Sequence, residues 1–332
     1  MSRDDRFDPH TPDHPPHNDS KEAKSDQERD SMELDEVRVT RGPLDPSHRA
    51  QGDLSWGTLW VIGVPIGHLE DITLRAIRLL KSATLIACED TRTTRQLLTL
   101  LEIPAPKLLA CHEHNEAQQS AQLIRRLQEG EDVVLVSDAG TPNISDPGYR
   151  VINAVIDAGL TVSPIPGPCA AISALCASGL PTDRFRFIGF LPSKESGRRK
   201  ALQALNEATE TLIFYESPHR LDRFLSDASE ILGAARRAVV ARELTKRYEE
   251  FRRGSLGALS AASGVNRGEV VVLVEGLTEA HRLASLDLDA LITEIQALDL
   301  SPSARAKQLS RRSSLSRQEA YDLLRTRRSS TS

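Results

Sequence analysis

The chain of 332 residues predicts an α/β protein with two sheet-bearing domains and a small helical module after them. Three observations carry that expectation. From Trp56 onward, short runs rich in Val, Ile and Leu alternate with amphipathic stretches of helical period, the pattern of strand-helix units around a largely parallel sheet. After Pro181 the apolar runs follow one another more closely, as in a mixed sheet. From residue 281 only helical periodicity remains.

Taken in order, residues 1–54 hold 14 acids against 8 bases, are rich in Pro, Asp, His and Ser, and read as a disordered acidic extension. Residues 55–180 form the first α/β domain: the strands TLWVIGV, ATLIACED, PKLLACH, DVVLVSD and TVSPIP, with the helices DITLRAIRLLKSA, TRTTRQLLTLL, NEAQQSAQLIRRLQEG and YRVINAVIDAG between them. Residues 181–280 form the second: FRFIGFLP, the basic helix SKESGRRKALQALNEA, TLIFYES, the helix PHRLDRFLSDASEILG, RAVVARE, KRYEEFRRG and GEVVVLVEG. Residues 281–332 make a basic helical module with a Ser-Pro helix start at SPSARAKQLSRR.

Composition excludes several classes. No run approaches the 18 or so apolar residues of a membrane span, and the N-terminus has no apolar signal region, so a cytoplasmic protein without membrane contact is expected. Cys88, Cys111, Cys169 and Cys176 lie far apart, with no C-x-x-C pair, and read as small core residues rather than a disulfide framework or a zinc site; no metal is expected. Four of the nine histidines lie in the acidic extension without ligand spacing. The net charge of −5 hides an uneven distribution, because residues 301–332 alone carry 8 bases against 2 acids.

No two glycines are separated by a single residue, so the G-x-G-x-x-G fingerprint is absent, and no G-x-x-x-x-G-K-[ST] phosphate loop exists. Instead GVPIGHLEDIT (63–73), SDAGTPNISDPG (137–148) and IPGPCAAISAL (165–175) each follow a strand, combine Pro with Gly and end at a helix start. One such loop would be a tight turn. Three, on strands that share one edge, point to a common ligand lying against the main chain.

GTLWVIGVPIGHLEDITLRAIRLLKSATLIACEDTRTTRQLL, LVSDAGTPNISDPGYRVI, PIPGPCAAISALCASGLPTDRFRFIGFLP and FYESPHRL together resemble the ribosomal RNA small subunit methyltransferase I family of the tetrapyrrole-methylase superfamily, from about Gly57 to Gly276. EDTR, SDAGTP-x-ISDPG, GLPTDRF and YESPHR are the motifs that set this family apart from its small-molecule relatives. The resemblance implies a two-domain tetrapyrrole-methylase-like fold and transfer of methyl from S-adenosylmethionine to the ribose 2′-hydroxyl of a cytidine in the decoding region of 16S rRNA, by a homodimer. It also places the cofactor between the two domains, against Pro65, Gly140, Thr141, Cys169, Ala170, Tyr215, Ala241 and Gly268. Val64 and His68 stand where the family usually has Thr and Asn, and Cys169 where it has Ser, so those side chains' hydrogen bonds are not carried over, while the backbone geometry of the loops is.

Methyl transfer from a sulfonium needs no metal; it needs methyl and oxygen in line, and a group to take the hydroxyl proton. Carboxylates concentrate at strand ends: Asp71, Glu89, Asp90, Asp138, Asp146 and Glu216. Glu89, Asp90 and Asp146, with Arg92 beside the acidic pair, are the catalytic candidates, Asp146 and Glu89 foremost; Asp71 and Asp146 read equally well as helix caps. His112 and His114 also end a strand, where a histidine is more often structural. SDAGTP would serve the cofactor. ISDPG would face the ribose or cap a helix.

Phosphate contact requires cations, for which Arg95, Lys194, Arg198, Arg199, Lys200, Arg311 and Arg312 are the candidates, with Arg92, Arg305 and Lys307 near them. Small-subunit rRNA within the assembled 30S subunit is the expected partner. Two rival readings remain at this point: a methyltransferase for a tetrapyrrole or other small molecule, which has no need of the basic helix and tail, and a ribosome-binding factor without turnover.

Overall fold

The computed structural model describes residues 56–328, apart from 263, 265, 266, 285, 286 and 314. The expected acidic extension lies outside the described residues. All of the described residues belong to one compact unit.

The first sheet holds β1 (Thr58–Ile62), β2 (Leu85–Cys88), β3 (Lys107–Ala110), β4 (Val133–Val136) and β5 (Thr161–Ile165), all parallel, in the order β3-β2-β4-β1-β5. Because side chains alternate across a strand, the unbroken apolar runs of β1, β2 and β4 feed two cores. Trp60, Ile62, Ile86, Cys88, Val134 and Val136 face α1 (Leu74–Ser82) and α2 (Thr91–Leu100) through Ala76, Leu79, Leu80 and Leu98. Leu59, Val61, Leu85, Ala87, Val133 and Leu135 face α3 (Glu116–Gln128) and α4 (Tyr149–Asp157) through Leu123, Leu127, Val151 and Val155. The strands β4, β1 and β5 are neighbours, so the three glycine loops do share one edge.

The second sheet, β6 (Phe185–Phe190), β7 (Thr211–Glu216), β8 (Arg237–Arg242), β9 (Glu250–Ser255) and β10 (Val270–Val274), has the order β6-β7-β10-β8-β9. It is mixed as expected, only the β6–β7 pair being parallel. One face carries α6 (Glu195–Gln203), α7 (Pro218–Leu232) and α8 (Leu256–Ala261) over a core centred on Phe214, Phe224 and Val272. The other face receives α5 (Ala170–Ser178), whose Ala171, Ala174 and Leu175 pack on Ile213, Val239, Ala241, Val271 and Leu273. The helix that the sequence assigns to the first domain therefore covers the second sheet. AAISALCAS carries no charged residue, and its buried Ala171, Ala174 and Leu175 lay it on the second sheet, across the 180/181 boundary.

After the short α9 (Glu279–Ala284), the chain closes with α10 (Leu288–Ala297), α11 (Pro302–Arg312) and α12 (Arg317–Arg328), which share a small core of Leu291, Ile292, Ile295, Ala306, Leu309 and Ala320. Ser301 caps α11 by accepting from Ala304 N at 3.3 Å, with Pro302 at the first helical position. No described helix is long and apolar enough to cross a membrane.

Candidate active site

The three glycine loops are knitted to one another through their backbones. Val64 and Gly140 exchange two backbone hydrogen bonds, and Thr141 Oγ1 donates to Pro168 O at 2.9 Å. Gly63 and Gly167 touch so closely that a Cβ on Gly167 would lie 2.9 Å from Gly63 Cα. Gly140 holds φ +74°, a conformation that L side chains rarely adopt.

Against these loops, and closed from the other side by the second sheet, lies a cavity of about 310 Å³. Gly140, Thr141, Cys169, Ala170, Tyr215 and Gly268 all line it. Ala241 sits one strand back, fully buried and paired with the lining residue Val271, and Pro65 lies outside the wall. Tyr215 Oη accepts from Ala171 N at 3.2 Å, and burial pushes its phenol well above the ordinary tyrosine range. Ile66, Ile144, Phe190, Leu244 and Glu269 are among the other residues of the wall that sequence does not single out; only their apolar character signals most of them.

Beside the cavity runs an open groove of about 570 Å³ lined by Glu89, His112, Glu113, His114, Glu116, Tyr149 and Arg150 among others. Ser145 and Asp146 belong to both walls. Burial raises the Asp146 carboxyl to about 6, the Ser137 hydroxyl pulling the other way and the charges of Glu89 and Asp138 adding to the rise. Burial likewise raises Glu89 and Asp138. Asp146 is not a helix cap: the N-cap position of α4 is Gly148, and it makes no side-chain capping bond.

Asp90 corrects the sequence reading. It is the N-cap of α2, accepting from Arg92 N at 2.7 Å and from the Arg92 guanidinium at 2.6 Å, and these bonds hold its carboxyl at about 2. Such an acid is too weak a base for the role proposed for it, and Arg92 is its partner rather than a free cation. Asp71 caps nothing either, since Thr73 caps α1. Glu216 is buried, its Oε1 accepting from Ser217 N at 2.8 Å. Among the cysteines Cys88 and Cys111 are core residues, but Cys176 is exposed and Cys169 lines the cavity.

The cations divide in the same way. Arg95, Lys194, Lys200 and Arg311 are exposed. Arg198 is not: it is buried, with Nε on Asp227 at 2.7 Å, because α6 must pair its inward cation against α7. Arg199 bonds Asp227 and Glu230, and Arg312 bonds Glu294. No metal-binding group of His, Cys, Asp or Glu occurs among the described residues.

A parallel sheet whose loops line a shared cavity with a second, mixed sheet defines the class. Residues 58–260 match the Tetrapyrrole (Corrin/Porphyrin) Methylases family. The fold is similar to that of a cobalt precorrin-4 methyltransferase (TM-score 0.51, 16% identity, 68% of this chain and 98% of that one) and of a diphthine synthase (TM-score 0.51, 14% identity, 66% and 90%). Among curated relatives, the ribosomal RNA small subunit methyltransferase I of Pseudomonas aeruginosa is 50% identical over 242 residues, 72% of this chain and 86% of that protein. That of Micromonospora olivasterospora is 47% identical over 266 residues, 78% and 84%. The chain belongs to the ribosomal RNA small subunit methyltransferase I family.

Proposed function

We propose that the protein transfers methyl from S-adenosylmethionine to the 2′-hydroxyl of a cytidine ribose in the decoding region of small-subunit rRNA, with Asp146 as the general base. The observation that carries the reading is the position of Asp146 in the wall shared by the cavity and the groove.

The cavity fits the cofactor. Its size is that of a small-molecule site, and small residues at Gly140 and Ala170 let a ligand lie against backbone. When bound there, S-adenosylmethionine supplies a methyl group activated by its sulfonium. The groove takes the acceptor nucleotide: the exposed Tyr149 and the paired rings of His112 and His114 offer faces for an unstacked base, and Arg150 a cation for phosphate. With a carboxyl near 6, Asp146 is ionised at neutral pH and can accept the hydroxyl proton as oxygen attacks. Its raised value makes it a stronger base than an ordinary aspartate.

Arg95, Lys194, Lys200 and Arg311 supply phosphate contacts in this reading, and the assembled 30S subunit in the cytoplasm is the substrate particle. In this reading the protein acts as a homodimer. A tritium-methyl transfer assay on free rRNA, intact subunits and a porphyrinoid tests the whole: label on the subunit, alkali-stable at a cytidine ribose, is expected, and label on the porphyrinoid alone overturns it.

A further inference from the structure

We infer that Glu116 is a positioning residue for the reaction, holding Asp146 in place through the backbone of the loop that carries it. Glu116 opens α3 and is 3% exposed. Across 32 residues of sequence, its Oε1 accepts from Gly148 N, two residues beyond Asp146. A buried carboxylate thus serves at the start of α4, where no side chain of that helix's own N-cap is available and where negative charge is favoured.

The loop it holds does not set its own shape. Asn143 and Ser145 carry φ of +71° and +64° without being glycines, and Gly148 carries +135°. Such conformations persist where the surroundings over-determine them. Within the loop, Asn143 N donates to Pro147 O at a long 3.3 Å. From the second sheet, a bulge in β6 at Gly189 lets the strand pass so near that a Cβ there would lie 3.1 Å from Ser145 Oγ. Glu116 supplies the restraint at the end of the loop that enters α4, and its own backbone is fixed: its N donates to His112 O at 3.1 Å and its O accepts from Ser120 Oγ at 2.7 Å. Glu116 and Asp146 line the same groove, so a shift of the clamp moves the carboxylate relative to the acceptor oxygen. Misplacement by about 1 Å can cost about 10²-fold in rate.

The inference rests on Asp146 being the base, and the test separates the two. Single-turnover methylation at saturating RNA and S-adenosylmethionine is measured for Glu116→Ala, Glu116→Gln, Asp146→Asn and the Glu116→Ala/Asp146→Asn pair, with cofactor affinity by calorimetry. Glu116→Ala is expected to lose at least tenfold in rate with cofactor affinity within about threefold, while Glu116→Gln, which keeps the acceptor oxygen, loses only a few-fold. In the Asp146→Asn background the alanine change should cost little more. Should Glu116→Ala fail to fold, Glu116→Asp, which withdraws the acceptor by one methylene, takes its place with the same expected order. A slow Asp146→Asn beside a fast Glu116→Ala, or a full additive loss in the pair, overturns this inference alone. A full rate in Asp146→Asn overturns the base reading and this inference with it.

Discussion

Val64 and Gly140 exchange two backbone hydrogen bonds, 2.8 Å from Val64 N and 3.0 Å from Gly140 N, and so lock the loop after β1 to the loop after β4. The contact is made by main chain alone. The side chain at position 64 therefore takes no part in the contact, and the conformation of Gly140 becomes the sensitive point.

Gly140→Val places a β-branched side chain at φ +74°, at a strain of about 1–2 kcal/mol, with its Cβ 3.4 Å from Ile66 Cγ2. Ala170→Phe fills the cavity from α5. Calorimetric affinity for S-adenosylmethionine should fall at least tenfold in each, in protein that still melts cooperatively. Wild-type affinity in either folded variant would remove that residue from the site.

Asp146→Asn should lower the single-turnover rate by about 10²-fold or more, within the general-base range, while RNA affinity stays within a few-fold. Asp90→Asn preserves an N-cap and should retain the rate within a few-fold, the opposite of the sequence expectation. In the wild type the rate should rise with pH through about 6 and then level, because the base works only when ionised. Glu89→Gln removes one of the charges that raise Asp146, so its acid limb should move to lower pH. A limb that stays in place would show that Glu89 does not act on the base.

The same burial makes Asp146 unfavourable for stability. Its folded value, near 6, lies above the ordinary carboxylate value, so the folded state binds the proton more tightly; stability is lost as pH rises from about 4 to about 6, and the penalty is complete at neutral pH. Asp146→Asn should then melt a few degrees higher at pH 7.5, with the gain shrinking as pH falls toward 4. Equal melting curves at pH 7.5 would contradict the shift.

Arg198 and Lys200 should separate folding from RNA grip. Arg198→Ala leaves Asp227 with Arg199 as its remaining partner but removes a buried ion pair and opens the α6–α7 interface, and should cost about 1–3 kcal/mol, read as a fall of several degrees in the thermal midpoint. Lys200→Ala should leave the midpoint unchanged and weaken RNA binding, reducing its salt dependence by up to about one unit of slope if it meets a phosphate. Loss of RNA binding without loss of stability in Arg198→Ala would refute the structural assignment.

Local pattern was enough for the elements. The apolar runs of β1, β2 and β4 are buried on both faces, and the sequence says so because it offers no polar alternation there. The glycine loops were legible for the same reason: Gly140 permits a backbone conformation that other residues rarely adopt and Pro142 fixes its own, both within the loop itself. Asp146 and Glu89 could be placed ahead of Asp90 but not ordered between themselves, since sequence shows a carboxylate's neighbours in the chain and not its neighbours in space.

What the sequence by itself determined, then, was the strand-helix order, the three ligand loops and the family to which their motifs belong. Tertiary structure alone decided which charges are free and which are committed. Asp90 and Arg92 neutralise each other across a helix cap, Arg198 is turned inward onto Asp227, and Asp146 is left half-buried between two openings. Glu116 meets Gly148 across 32 residues, a distance over which no periodicity or spacing rule operates. Burial and electrostatic pairing depend on what long-range packing brings within a few ångströms, and the linear order of residues does not encode those distances locally.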